Sequence, residues 1–180
     1  INLIAVKVKL NYNKAIFFDR DGVINHLVLR NNGYYSPRFF KDFKLYDDVL
    51  ETIEFLKNKS FRIIIISNQP DISRKEMSTK ELKKIDDFLM ENLLLDDIYY
   101  SFDSDVIDGG TKKPLPTMVL SAQKKWKINL SESYFVGDSK VDIECANSAN
   151  VPFILIKRLH NKDLEYHRSI NSLIHIKNIL

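Results

Sequence analysis

Two aspartates two positions apart, Asp19 and Asp21, follow the apolar run Lys14–Phe18 (KAIFF), and Gly22 comes after them. If the run is a strand and its extended geometry persists, residues two apart point the same way and both carboxylates face one site. Gly22 supplies a turn that lets backbone approach a ligand. Such a pair suits phosphate and magnesium chemistry, although a surface turn has the same composition. A calcium loop also opens DxDG, but here the later EF-hand ligands are missing and a strand, not a helix, precedes it.

Three further strand or helix boundaries carry similar residues. The run 61–66 (FRIIII) is followed by Ser67-Asn68-Gln69-Pro70, whose hydroxyl and backbone N–H groups can hold phosphate; the same residues also make an ordinary turn. After SYFV come Gly137-Asp138-Ser139-Lys140-Val141-Asp142, with Asp142 one helical turn beyond Asp138 and facing the same way. Those two acids equally fit an N-cap and a first-turn acid. Lys112-Lys113-Pro114 precedes a helix pattern, with Pro114 suited to the first turn; a lysine there is ordinarily solvated.

The elements that must position these residues alternate regularly. Strands are expected at 14–18, 61–66, 98–102, 133–136 and 152–156. Helices are expected at Val49, Ile53 and Leu56 behind an Asp47 or Asp48 cap, at Leu82 to Leu89 behind a Ser78 or Thr79 capping box with Glu81, at 114–126 and at 141–148. The β-branched run at 61–66 reads as a fully buried parallel strand. Repeated βα units predict a doubly wound, Rossmann-like parallel sheet with helices on both faces. Ligands bind such a sheet beyond the carboxyl ends of its strands, at the topological switch point. The four motifs would meet there. The stretch 170–176 is consistent with an edge strand or a turn.

With 180 residues, the chain fits one domain of average composition, 44% hydrophobic and 28% charged. Its 27 basic and 24 acidic residues leave a scattered +3, too little to argue for nucleic acid or an anionic membrane. One cysteine, Cys145, permits no intramolecular disulfide and no zinc cluster built on it, which favours a reducing, cytoplasmic setting. The opening INLIAVKVKLNYN lacks the features of a signal peptide, and no apolar run reaches the ~18 residues of a spanning helix.

The set FFDRDGVIN (17–25), SNQP (67–70), KKPLPTM (112–118) and VGDSKVD (136–142) resembles the four signature motifs of the haloacid dehalogenase superfamily. DRDGVIN, the Gly33-Tyr34 pair, NQPDISR (68–74) and KPxP resemble its histidinol-phosphatase and heptose-bisphosphate-phosphatase branch more narrowly. The resemblance spans roughly residues 14–157. It implies a Mg²⁺-dependent phosphatase in which Asp19 is the nucleophile that becomes an aspartyl-phosphate, and Asp21 is general acid and then general base. Asp19, the backbone carbonyl of Asp21, and Asp138 would hold the metal, with Asp142 supporting the metal shell or Lys113. Lys113 would neutralise the phosphate and orient Asp19, while Ser67 and the N–H of Asn68 bind its oxygens.

Superfamily members select substrates with inserted cap domains, but 22–48 is only flap-length and 70–112 is consumed by a helix, a strand and a loop. A capless core is therefore expected, with selectivity left to the loops 25–40, 70–77 and 102–111. Arg38, Arg74 and Lys112 are the cations near those loops that could grip a second anionic group; each also reads as an ordinary surface charge. Zinc-bearing relatives carry a Cys, a His and two further Cys in the loop before KP, where this chain has Ser101, Asp103, Gly109 and Thr111. None supplies a thiolate or imidazole, so no zinc is expected. His26 is close enough to the first motif to line the site, but reads first as a flap-surface residue; His160, His167 and His175 lack ligand spacing.

The expected substrate is a small phosphorylated metabolite, a sugar phosphate such as a heptose phosphate or an amino-alcohol phosphate. Capsule or lipopolysaccharide precursor synthesis is the setting the branch implies. A phosphatase of nucleic-acid ends or phosphoproteins, or a catalytically silent binding module, are the alternatives. No nucleic acid or membrane partner is expected, and the protein should be a monomer or weak homo-oligomer.

Overall fold

The computed structural model describes residues 13–180; the opening segment, read above as no signal peptide, lies outside the described residues. Five strong strands form where the apolar runs predict them: β1 (Lys14–Phe18), β4 (Phe61–Asn68), β5 (Asp97–Ser101), β6 (Tyr134–Gly137) and β7 (Phe153–Ile156). Two short strands, β2 (Val28–Arg30) and β3 (Gly33–Tyr35), make an antiparallel hairpin within the flap, and β8 (Ser169–Ile170) closes one sheet edge. The main sheet has the order β5-β4-β1-β6-β7-β8, and its pairs are parallel. β1 is central, with β4 on one side and β6 on the other, so the winding reverses beside its carboxyl end.

Four helices cover the two faces: α1 (Val49–Asn58), α2 (Thr79–Asn92), α3 (Thr117–Trp126) and α4 (Lys140–Ser148). The period of two along the strands assigns the layers. Ile16, Phe18, Ile63 and Ile65 pack with Val49, Ile53 and Leu56 of α1 and with Leu82, Ile85 and Leu89 of α2. Ala15, Phe17, Ile64 and Ile66 pack on the other face with Met118, Val119 and Ala122 of α3 and with Cys145 and Ala146 of α4. Each isoleucine so buried contributes roughly 1.5–3 kcal/mol, which is why a strand apolar on both faces is stable only between two helical layers. Among the described residues there is no cap domain.

Several boundaries differ from expectation for definable reasons. The third helix starts at Thr117 rather than Pro114. Leu115 and Lys113 each precede a proline and are thereby disfavoured in the helical region. Ser139, not Asp138, caps α4, with Asp142 completing a capping box. Asp48 sits at the N-cap of α1 without a side-chain capping bond; its carboxylate accepts from the Ser172 hydroxyl and, at 3.3 Å, from Ile174 N, anchoring the C-terminal turn. Ser78 caps α2, but Glu81 reaches Phe40 N at 2.7 Å instead of completing the box. It thereby ties the helix to the flap base. The tail forms β8 and then a 3-10 helix, Leu173–Asn178, so only two residues of the 170–176 region and its approach are strand.

Candidate active site

The site lies at the carboxyl end of β1. Asp19 N donates to Val136 O at 2.9 Å, which continues the β1–β6 pairing and fixes the Asp19 backbone at the mouth of the sheet. The chain then turns at Gly22, whose φ is +90°; a Cβ there would lie 1.9 Å from Asp138 Oδ2. No side chain fits that approach, so the glycine is what lets the first and fourth motifs close on each other.

Lys113 crosses from the α3 side into the same space. Its ammonium donates to Asp19 Oδ1 at 2.7 Å and to Asp142 Oδ1 at 2.6 Å. Its backbone is fastened by Asn68, whose Oδ1 accepts from Lys113 N at 2.9 Å and whose Nδ2 donates to Lys113 O at 3.2 Å. Thus the second motif positions the third. Burial works against the Lys113 charge, but Asp142 and Asp19 outweigh it and push its pKa up. Burial pushes the Asp19 carboxyl well above its ordinary range; Lys113 opposes this, while Asp142, Asp138 and Asp21 add to the rise. Asp138 is likewise pushed up by burial, against the hydrogen bond from His160.

Asp19, Asp138 and Asp142 each offer a carboxylate oxygen, all within 4.8 Å of one another. Three buried hard-oxygen donors, with Asp19 and Asp138 pushed up by burial, form a site short of positive charge, and that donor set fits a hard divalent cation. Asp142 is already engaged on both oxygens, one by Lys113 and the other by Ser139 N at 3.2 Å and Ser139 Oγ at 2.5 Å. It therefore supports the cluster.

The Asp21 side chain is not part of this cluster and is held by donors of its own. Its carboxylate accepts from Arg20 Nη2 at 3.1 and 3.0 Å, from Asn25 Nδ2 at 2.9 Å and from Gln69 Nε2 at 2.6 Å. Gln69 also donates to Ser67 Oγ at 3.0 Å, so Asp21 and Ser67 are held by one amide. Both line a cavity of about 410 Å³ with Asp19, Asn68, Lys113 and Asp138.

The three loop cations separate. Arg74 lines the outer part of the cavity, alongside Tyr34, Tyr35 and Ser36 of the flap. Arg38 does not reach the lining; it pairs with Asp71 at 2.7 Å and Glu76 at 2.8 Å, joining the flap base to the loop after β4. Lys112 also lies outside the lining and donates to the backbone oxygen of Ser104. In the same loop, Thr111 Oγ1 donates to Ser101 Oγ at 2.8 Å and to Asp103 Oδ2 at 2.9 Å, and Thr111 N donates to Asp103 Oδ2 at 2.9 Å. Of the four loop positions at which the resemblance would have implied zinc ligands, Ser101, Asp103 and Thr111 are here joined by hydrogen bonds.

Two residues were missed by sequence reasoning. His160 Nε2 lies 2.6 Å from Asp138 Oδ2, and its ring is 5.6 Å from that of Tyr34. The signal was positional: His160 sits in the 3-10 turn Leu159–Asn161 just past β7, at the sheet end where ligands bind. Arg20, between the paired aspartates, is the other. His26, expected on the flap surface, is half-buried against Tyr46 at 3.8 Å between ring centroids.

A doubly wound parallel sheet with an aspartate pair after its central strand, a lysine from the loop before α3 and an acidic motif after β6 defines a hydrolase site suited to phosphoryl transfer. A haloacid dehalogenase-like hydrolase model matches residues 25–150. The chain is 30% identical over 148 residues to a D-glycero-beta-D-manno-heptose-1,7-bisphosphate 7-phosphatase of Helicobacter pylori, covering 79% of this chain and 82% of that one. It is 32% identical over 170 residues to the D-glycero-D-manno-heptose-1,7-bisphosphate 7-phosphatase of Chlorobaculum tepidum, covering 83% and 81%. In fold it is similar to a D,D-heptose 1,7-bisphosphate phosphatase from B. bronchiseptica complexed with magnesium and phosphate, with TM-score 0.78, 22% identity, and coverage of 92% and 97%. The chain belongs to the haloacid dehalogenase-like hydrolase family, in the branch of these phosphatases, and is an enzyme of that class. No helix among the described residues is long and apolar enough to cross a membrane.

Proposed function

We propose that the chain is a magnesium-dependent phosphatase that hydrolyses a sugar phosphate, with a heptose bisphosphate as the leading substrate, through an aspartyl-phosphate on Asp19. The observation that carries this reading is the Lys113 ammonium held between Asp19 and Asp142 at the sheet mouth. It fixes the Asp19 carboxylate and leaves a cation where the phosphoryl oxygens must sit. Asp19, the backbone carbonyl of Asp21, and Asp138 are the residues that would hold magnesium, which when bound screens the charge of a dianionic phosphate from an anionic nucleophile.

An Asp19 oxygen attacks phosphorus and the ester oxygen departs in line. Asp21 gives that oxygen a proton, then takes one from the water that attacks the acyl phosphate. Ser67 Oγ and Asn68 N–H bind the non-bridging oxygens, and Lys113 neutralises their growing charge. Arg74, at the outer cavity wall, is the cation that suits a second phosphate; Arg38 and Lys112 hold loops in place around it. The relatives named above act on a heptose 1,7-bisphosphate, and capsule or lipopolysaccharide precursor synthesis is the corresponding setting.

A phosphate-release screen over sugar phosphates, amino-alcohol phosphates, nucleotides and phosphopeptides tests this, with Mg²⁺ and with chelator. Chelator-sensitive turnover of sugar phosphates is expected, with Asp19→Asn inactive. Chelator-insensitive turnover, or an Asp19→Asn variant with most of its activity, would overturn the mechanism.

A further inference from the structure

Arg20 is fully buried and has the largest volume among the fully buried side chains described. A guanidinium removed from water costs several kcal/mol unless it is paired on its donor edges. Here its Nε and Nη2 donate to Asp21, at 3.0 Å for the shortest contact, and its Nη1 donates to the Tyr100 hydroxyl at 3.4 Å. The guanidinium carbon is 5.7 Å from the centroid of the Tyr100 ring. Tyr100 in turn donates its hydroxyl proton to Asp86 Oδ1 at 2.5 Å. A continuous polar array therefore runs from α2 through β5 to the loop after β1. It ends on the carboxylate assigned to proton transfer.

Asp21 is gripped from the other side by Asn25 and Gln69. With donors on both sides, its carboxylate plane is held, and rotation requires breaking several hydrogen bonds at once. We propose that Asp86, Tyr100 and Arg20 form a positioning relay that sets the orientation of Asp21 for proton transfer to the leaving oxygen. The inference rests on the reading of Asp21 as the acid–base residue. As Asp19 forms its bond to phosphorus, the bond from phosphorus to the ester oxygen breaks, its electron pair goes to that oxygen, and the Asp21 proton follows. Tyr100 and Asp86 touch neither substrate nor reacting atoms.

The leaving group distinguishes such a relay from a merely structural network. A sugar alkoxide needs the proton as it leaves; p-nitrophenolate is stable as an anion and does not. Tyr100→Phe and Asp86→Ala are compared with the unmodified protein on D-glycero-D-manno-heptose 1,7-bisphosphate and p-nitrophenyl phosphate. Folding is checked by thermal melting, and Asp86→Asn, which retains an acceptor for Tyr100, serves as the rescue variant. Because Asp21 also takes the proton of the attacking water, a step common to both esters, leaving-group release is read in a single turnover, before the acyl phosphate is hydrolysed. General acid catalysis contributes 10²–10⁴-fold, so imperfect positioning should slow single-turnover release of the sugar alcohol by ~10-fold. Single-turnover release of p-nitrophenolate should change less than about twofold, and Asp86→Asn should recover most of the loss. Equal losses of release on both esters, or undiminished release in both folded variants, would overturn the relay. Asp21→Asn separates the underlying reading: if it too fails to distinguish the esters in single-turnover release, the acid–base assignment falls and the relay with it.

Discussion

Lys113 Nζ stands 2.7 Å from Asp19 Oδ1, joining residues 94 positions apart in the chain. The contact is buried, and the same ammonium reaches Asp142. Lys113→Met leaves those two carboxylates without their shared cation. Uncompensated buried charge costs ~3–5 kcal/mol, and loss of charge stabilisation in the transition state costs ~10²–10³ in kcat. Urea denaturation and phosphate release measure the two effects. The pH dependence has a definite sign: burial raises the Asp19 pKa in the folded state, so the folded variant binds more protons than the unfolded chain. Its deficit relative to the unmodified protein should therefore shrink as pH falls through that raised pKa and grow as pH rises.

His160 orients Asp138 through a 2.6 Å contact. Outer-shell partners of a ligating group change metal affinity by ~10–100-fold, so His160→Ala should weaken Mg²⁺ binding by that factor. Titration calorimetry on the protein without substrate gives the affinity directly. An unchanged dissociation constant would leave His160 as a wall of the cavity.

Thr111 holds the loop between β5 and Lys113 through Ser101 and Asp103. Each such bond contributes on the order of 1 kcal/mol net, so Thr111→Val should lower stability by ~1–2 kcal/mol and increase proteolysis within 103–110. The unmodified loop should resist protease equally with and without a zinc chelator. Cleavage that rises on chelation alone, or stoichiometric zinc in the purified protein, would refute the reading that hydrogen bonds take the place of metal here.

Burial pushes the Cys145 thiol up to about 12, against the nearby Lys113 charge. It stays protonated across the physiological range, and the thiolate is the reactive form. A thiol reagent at pH 8 should therefore leave the folded protein unmodified and label one group per chain after denaturation. Labelling of the folded protein at the rate of a small-molecule thiol would mean that α4 opens.

The strands were legible because each apolar run is bounded by polar residues and, except in the half-buried β5, its two faces are both buried, a pattern few other structures accommodate. Three of the motif ends were legible for the same reason: Asp19, Ser67 and Asp138 sit at the end of a run whose register fixes them, whereas Lys113 lies in a loop and is fastened by Asn68. Boundaries at prolines and caps were less so. Asp48, Glu81 and Asn68 each carry a side chain able to serve its own helix or turn, and tertiary partners claimed them instead. Local hydrogen bonds and distant ones have similar strength, so sequence alone does not rank them.

What the amino-acid sequence determined by itself is the alternation of elements, the identity of the acids and the lysine, and their assembly at one end of a parallel sheet, because strand period and winding direction leave little choice. The tertiary structure decided which charges pair. Arg38 and Lys112 were drawn into loop contacts, while Arg74, 3.7 Å from Asp71, lies on the cavity wall. Arg20 was buried against Asp21 and Tyr100, and His160 was brought to Asp138 from beyond the last strong strand. The physical reason is that ion pairs and hydrogen bonds depend on ångström-scale distances between residues far apart in the chain, whereas hydrophobic periodicity is local and is written in the order of the residues.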